Sequence, residues 1–162
     1  MPSTMKKLAT FAAATLLAIV ASALASGTSA AATVRPTIQG ATVGTWDGTV
    51  QHAGGGGAVT FTFRADGLAC LASSDGGGVG GDGVGVWLAT GTSTFTYRML
   101  ERLHDGNGLT TGYVDVNQNA VVSANAIHST GISRIYDPNG VFIASAAATV
   151  DLARSVGTAA VC

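Results

Sequence analysis

The chain of 162 residues carries eight Lys or Arg against nine Asp or Glu, a formal net charge of −1. Both lysines lie near the N-terminus, so the chain beyond them has six arginines, nine acidic residues and a net charge of −3. This acidic balance argues against a partner with a phosphate backbone, and we expect no nucleic-acid binding.

The first thirty residues have the order of features that is typical of a secretory signal peptide. The two lysines precede an almost unbroken apolar run, residues 8–25, and small residues follow it. A membrane anchor is the alternative, because about 18 apolar residues could just span a bilayer. We predict a signal peptide over residues 1–30, a linker over 31–41 and one domain over 42–162. This domain is expected to be extracellular and free of the membrane after cleavage.

Beyond the linker, short segments of alternating apolar and polar residues are separated by turn-forming residues. In VTFTFR, for example, Val59, Phe61 and Phe63 alternate with polar residues. Consecutive hairpins form an antiparallel meander, and closing the meander removes its two exposed edges. We therefore predict an all-β fold, a closed eight-stranded antiparallel up-and-down β-barrel, with room inside for side chains or one small ligand. The predicted strands are residues 42–51, 58–65, 68–72, 84–90, 93–103, 109–123, 126–136 and 141–154.

Turn signals rich in glycine connect these strands. Residues 54–57, 66–67, 105–108 and 137–140 predict short hairpin connections. Residues 73–83, SSDGGGVGGDG, predict one long flexible loop, since ordering so many glycines costs much backbone entropy.

Both cysteines, Cys70 and Cys162, lie in the part of the chain that we expect to be exported. In an oxidising compartment an isolated pair is most simply a disulfide, which here would tie the C-terminus to the body of the domain. Two free thiols, or a terminal thiol that pairs between chains, are the alternatives. There is no Cys-x-x-Cys spacing in the sequence, which argues against a redox enzyme.

Two carboxylates on predicted strands are candidates for chemistry. Glu101 shares a strand face with Phe95, Tyr97 and Met99, so burial in a lumen would raise its pKa and make it a general acid or base. The simpler interpretation places Glu101 in solvent at the strand end, paired with a nearby arginine. Asp115 lies on a polar strand face, which is more often the solvent side than a catalytic lining.

The histidines, Trp87 and the serines give no signal of a catalytic or metal site. His52, His104 and His128 lack the close spacing of a metal pair, so we expect no metal site and no cofactor. Trp87 is out of phase with Leu88 and with the valines before it, which predicts a position on the outer wall or at a bulge. No Gly-x-Ser-x-Gly sequence is present, which argues against a hydrolase.

Gly44-Thr45-Trp46, on the first predicted strand, resembles the Gly-x-Trp signature of the calycin superfamily, the lipocalin-like up-and-down barrels. In that family a basic residue near the end of the last strand packs over the tryptophan, and Arg154, in TVDLARS, has this position. The segments VTFTFRADG, GVGVWLATGTSTFTYRMLE, GYVDVNQNAVVS and YDPNG are similar to small secreted bacterial calycin-like proteins and to the allene oxide cyclase barrels. A disulfide from the C-terminus to the barrel wall is also typical of lipocalins.

The resemblance implies a monomeric barrel that binds a small apolar or amphiphilic molecule in its lumen. One alternative is a cofactor-independent cyclase or isomerase in which Glu101 or Tyr97 donates a proton. Another is a structural barrel filled by its own side chains; an apolar cavity of about 300 Å³ or more would support binding instead. The candidate ligand-binding residues are Phe61, Phe63, Phe95, Tyr97, Met99 and Glu101, and the candidate structural residues are Gly44, Trp46 and Arg154.

Overall fold

The computed structural model of the protein describes residues 38–76 and 78–162. The predicted signal peptide, residues 1–30, lies outside the described residues. Over the described part, eight antiparallel strands close into an up-and-down barrel in which the last strand pairs with the first, so the predicted fold class is confirmed. The strands are β1 (Gly44–His52), β2 (Gly55–Phe63), β3 (Leu68–Ser74), β4 (Gly80–Ala89), β5 (Thr94–His104), β6 (Thr110–Ser123), β7 (Ala126–Tyr136) and β8 (Phe142–Arg154).

The pairing is staggered around the barrel. The paired residues can be followed from Trp46 on β1 through each neighbouring strand in turn, and this path reaches β8 at Ala144. The direct partner of Trp46 on β8 is instead Arg154. This shift of ten residues requires the strands to tilt against the barrel axis. An eight-stranded barrel has an interior that side chains can fill or that can hold one small ligand.

The fourth strand begins earlier than the sequence predicted. Residues 80–83, predicted as part of the long loop, belong to β4, and the connection from β3 is residues 75–79. Gly81 and Gly83 are buried in this strand. A side chain at Gly81 would overlap the Glu101 carboxylate on β5. These glycines therefore allow close packing inside a strand, and the prediction of a flexible loop across them was wrong.

Trp87 points into the barrel, so the prediction that it lies on the outer wall or at a bulge was wrong. The inward face of β4 carries glycines followed by Trp87, whereas the outward Val86 is 59 % exposed. Glycine can face a barrel interior when neighbouring side chains occupy the space above it. At Gly85, a Cβ atom would collide with Met99 of β5.

The barrel interior has two halves of different composition. We call the end at which β1 begins and β8 ends the closed end, and the opposite end the open end. In the closed half the aromatic rings pack edge to face, with the Phe63 ring centre 5.2 Å from that of Phe95 and 6.2 Å from that of Trp87. The residues of this packed half are Trp46, Phe63, Trp87, Phe95 and Tyr97, all buried, and the buried Phe61 lies beside them toward the open end.

A short helical segment precedes β1 at the closed end. It comprises residues 38–42, most of which belong to the predicted linker, and its Ile38 and Thr42 side chains are fully buried. The segment therefore packs as part of the domain.

The C-terminal residues return to the outer wall of the barrel. Cys162 forms a disulfide with Cys70 on β3, with the two Cα atoms 5.0 Å apart, so the predicted intramolecular bridge is confirmed. Cys70 is buried, and Ala160 in the tail is buried as well. The bridge therefore fixes the C-terminal tail against the domain.

Candidate functional site

Trp46 and Arg154 form the centre of the closed end. Trp46 is fully buried, and the guanidinium carbon of Arg154 lies 4.2 Å from the centre of its ring. The indole Nε1 donates a hydrogen bond of 2.8 Å to the carbonyl oxygen of Thr42. Arg154 donates hydrogen bonds to the carbonyl oxygens of Ala41 and Val43. One arginine thus covers the tryptophan and joins the helical segment to the last strand, the contact that the resemblance implied.

Gly44 leaves the room that this arginine needs. Its φ is +137°, a conformation that residues with a side chain rarely adopt. A Cβ atom at this position would lie 2.6 Å from Nη1 of Arg154. The glycine, the tryptophan and the arginine therefore form one packed unit with a structural role.

The open half of the barrel contains a cavity of about 260 Å³. This volume falls short of the about 300 Å³ that we expected of a ligand-binding barrel, which is the lower end of the usual range of ligand pockets, so the cavity has room only for a small molecule. Its wall is mainly apolar, with Val59, Leu71, Val116 and Val150 on four different strands. The polar side chains of the lining include His52, Ser73, Glu101, Gln118 and Ser133.

The cavity exists because small side chains line the open half. Ser133 on β7 and Ala146 and Ala148 on β8 form part of its wall, and Gly57 forms part of it on β2. In the closed half the inward positions carry large aromatic rings that fill the same barrel. Side-chain size therefore decides which half is filled and which half is open.

Glu101 is a buried carboxyl in the cavity wall. Its side chain is 8 % exposed, and the hydroxyl of Ser73 donates a hydrogen bond to Oε1. Burial raises the pKa of the Glu101 carboxyl, the negative charge of Asp82 adds to this effect, and the hydrogen bond from Ser73 opposes it. A carboxyl of this kind holds its proton to a higher pH than one in water, so it can act as a hydrogen-bond donor or a general acid.

The arginines near Glu101 face the outside of the barrel. Arg98 pairs with Asp115 at 2.9 Å, and Arg102 pairs with Asp82 at 2.7 Å. The interpretation that placed Glu101 in solvent beside an arginine was therefore wrong, because alternate residues of β5 face inward and Glu101 is one of them. Asp115 lies on the outer face, as the commoner interpretation of its strand predicted.

Gln118 on β6 is a functional candidate that sequence reasoning missed. Its side chain is 1 % exposed and lines the cavity. Among the residues that the structure describes, neither Nε2 nor Oε1 has a hydrogen-bond partner. The alternation of β6 could have revealed its inward position, because Val116, Gln118 and Ala120 share one face.

The predicted lining residues fall into two groups. Phe61 and Glu101 line the cavity. Phe63 and Phe95 lie in the packed closed half, and Met99 is buried over Gly85 rather than on the cavity wall.

Tyr97, the other candidate proton donor, also belongs to the packed half. Its ring centre is 5.4 Å from that of Phe61, and its hydroxyl forms a hydrogen bond of 2.8 Å with Ser129. Burial raises the pKa of Tyr97 far above the ordinary value of 10. This hydroxyl is hydrogen-bonded within the core, so Glu101 is the better candidate for a proton donor in the cavity.

The three histidines lie apart from one another. His52 is at the cavity rim, His104 lies 3.9 Å from Asp82, and His128 lies 2.7 Å from Asp151. Within residues 38–76 and 78–162, no three or more His, Cys, Asp or Glu are grouped so as to hold a metal ion.

No helix in the described part of the chain has the length and apolar character needed to cross a membrane. Comparisons of the chain with protein-family models, with curated proteins and with solved structures find no match.

Proposed function

We propose that this protein is a secreted, calycin-like barrel that binds a small apolar or amphiphilic molecule in the cavity of its open half. The observation that carries the proposal is the cavity itself, about 260 Å³ with a mainly apolar wall and a few polar groups. Burial of apolar ligand surface would supply the affinity, at about 25 cal/mol per Å². The polar groups of Glu101, Ser73 and Gln118 would orient the ligand.

Two further observations support the secreted and calycin-like parts of the proposal. The disulfide between Cys70 and Cys162 is typical of an oxidising compartment, which agrees with the signal-peptide pattern at the N-terminus. The packing of Gly44, Trp46 and Arg154 agrees with the closed end of a lipocalin-like barrel.

Native mass spectrometry of protein from its own host tests the proposal. We expect the wild type to retain a small molecule that denaturation releases. The matched variants are Ala148→Phe, which places a ring in the cavity, and Ala147→Phe, which places it on the exposed outer face of β8. Ala147→Phe should keep the molecule and Ala148→Phe should lose it. A wild type without a bound molecule that also fails to bind added apolar compounds would favour a structural barrel.

A second candidate function is a cofactor-independent cyclase or isomerase, and the buried Glu101 carboxyl favours it. A proton donor inside an apolar, water-poor cavity is a suitable general acid for such a reaction. The test uses the molecule identified above and Glu101→Gln, which keeps the size of the side chain. Conversion of the molecule by the wild type, lost in the variant with affinity retained, would indicate an enzyme. Equal behaviour of both proteins would leave a binding protein.

A further inference from the structure

The Gln118 amide is a buried polar group that folding alone does not use. It is 1 % exposed on the cavity wall, and both of its polar atoms lack a partner among the described residues. Leaving a buried donor and acceptor unpaired destabilises a protein, so native structures contain few such groups. An apolar side chain of similar length would fill this position at lower cost. The presence of an unpaired amide at this position is therefore not explained by the stability of the fold.

The surroundings of Gln118 explain why no protein group satisfies it. Its strand neighbours on the inner face, Val116 and Ala120, are apolar. Across β5 it pairs with Tyr97, whose hydroxyl is already bonded to Ser129. Across β7 it pairs with Gly131, which has no side chain. The amide thus lines the cavity without a partner from either neighbouring strand at this position.

The position of Gln118 is also deep. On β5, its paired residue Tyr97 lies four residues nearer the closed end than Glu101. A ligand group that reaches Gln118 is therefore the inner end of the ligand, with the apolar wall around the remainder.

Resting on the proposed function, we propose that Gln118 recognises a neutral carboxamide at the inner end of a mainly apolar ligand. A carboxamide offers a carbonyl to Nε2 and an N–H to Oε1, so both unpaired atoms gain a partner at once. A carboxylate accepts hydrogen bonds without donating them, which leaves Oε1 unpaired. Among the described residues that line the cavity there is no lysine or arginine to balance its charge.

Binding of three matched probes to the purified, disulfide-bonded protein tests this inference. Octanamide carries the donor and the acceptor, 2-nonanone replaces the amide NH₂ by a methyl group, and octanoate carries a charge. We expect octanamide to bind the wild type at least about tenfold more tightly than either analogue, since the site rejects ligands that leave its buried polar atoms unpaired. Isothermal titration calorimetry measures the three dissociation constants.

The variant Gln118→Met removes the amide and keeps an unbranched side chain. The preference for octanamide over 2-nonanone should then fall to about twofold or less, with 2-nonanone still bound. The control, Asn119→Met, changes an exposed position of the same strand and should keep the wild-type preference. Near-ultraviolet circular dichroism verifies the fold, and Gln118→Leu replaces the first variant if it does not fold.

The outcomes separate this inference from the function on which it rests. If the wild type binds octanamide and 2-nonanone equally, or the ketone more tightly, the amide recognition is wrong while the cavity remains a binding site. If Gln118→Met keeps the full preference, another residue selects the amide and the inference is overturned. If none of the probes binds the wild type, both the inference and the proposed binding function fail.

Discussion

The packing of Gly44 against Arg154 predicts that Gly44→Ala destabilises the barrel more than its backbone conformation alone would. Gly55 is a matched control, because its φ is +135° against +137° for Gly44, and a Cβ at Gly55 would meet nothing within 4 Å. Both substitutions place alanine in a conformation that favours glycine. The difference between them therefore isolates the contact with Arg154.

The expected magnitudes follow from the contacts of Arg154. The backbone strain is common to both variants, at about 1–3 kcal/mol. In Gly44→Ala the new methyl group displaces the guanidinium, which weakens the cation–π contact with Trp46, worth about 1 kcal/mol. It also disturbs hydrogen bonds to Ala41 and Val43, worth about 1 kcal/mol together because Arg154 is exposed. Gly44→Ala should therefore lose about 1–2 kcal/mol more than Gly55→Ala.

Guanidinium chloride titrations of the two variants and the wild type measure this difference. In an Arg154→Ala background the two substitutions should have equal effects, because the displaced group is gone. If Gly44→Ala and Gly55→Ala are equally destabilising in the presence of Arg154, then Arg154 does not hold the closed end as described.

Glu101 and the disulfide predict two further changes in stability. Burial raises the Glu101 pKa above its ordinary 4.5, so the contribution of the protonated carboxyl is fully present below pH 4.5 and is lost as the pH rises through the folded-state pKa. Across that window, urea titrations should show the free energy of unfolding of the wild type falling relative to Glu101→Gln, by at most about 1.4 kcal/mol per pH unit. Cys162→Ser opens a bridge between residues 92 positions apart and should lower the free energy of unfolding by about 2–5 kcal/mol in denaturant titrations, with the barrel retained.

Controls in the same chain make both predictions decisive. The hydrogen bond from Ser73 lowers the pKa of Glu101 and so opposes the effect of burial. Ser73→Ala removes this bond, so the pKa should rise and the pH window should extend to higher pH. Parallel pH curves for the wild type and Glu101→Gln would contradict a buried, titrating carboxyl. For the disulfide, Ala159→Ser changes an exposed tail residue and should leave stability unchanged. Equal stability of Cys162→Ser and Ala159→Ser would show that the bridge contributes nothing.

The strand order could be predicted because the hairpin turns carry strong local signals. Asp66 and Gly67 separate β2 from β3, and aspartate or asparagine with glycine marks the connections after β5 and β7. In the closed half of β2 and β5 the inward residues are aromatic, so the alternation of Phe61 and Phe63 with threonine was a reliable guide.

The same rule failed on β4. Its inward face in the open half is glycine, and its outward face carries Val84 and Val86, so the pattern suggested the opposite orientation. The reason is that Glu101 and Met99 of β5 lie over the glycine positions. Packing between strands determines which face of β4 points inward, so the residue pattern of β4 alone cannot predict it.

The cavity was harder to predict than the barrel. It depends on which strands contribute small residues at the same level, such as the paired Ser133 and Ala146, and that level is set by the stagger of the whole barrel. Gln118 and Glu101 share the cavity for the same reason. Alternation along β5 indicated the face of Glu101, but the end of the barrel that stays open follows from all eight strands together.

The central claim is that the open half binds a small apolar molecule, and nuclear magnetic resonance tests it most directly. In a titration of the methyl-labelled protein with 1-octanol, we expect saturable shift changes at Val59, Val116 and Val150, which line the cavity. The indole signals of Trp46 and Trp87, in the packed half, should stay in place. Ala148→Phe should abolish the response and Ala147→Phe should preserve it. Shift changes that do not saturate, or that persist in Ala148→Phe, would contradict a binding site inside the barrel.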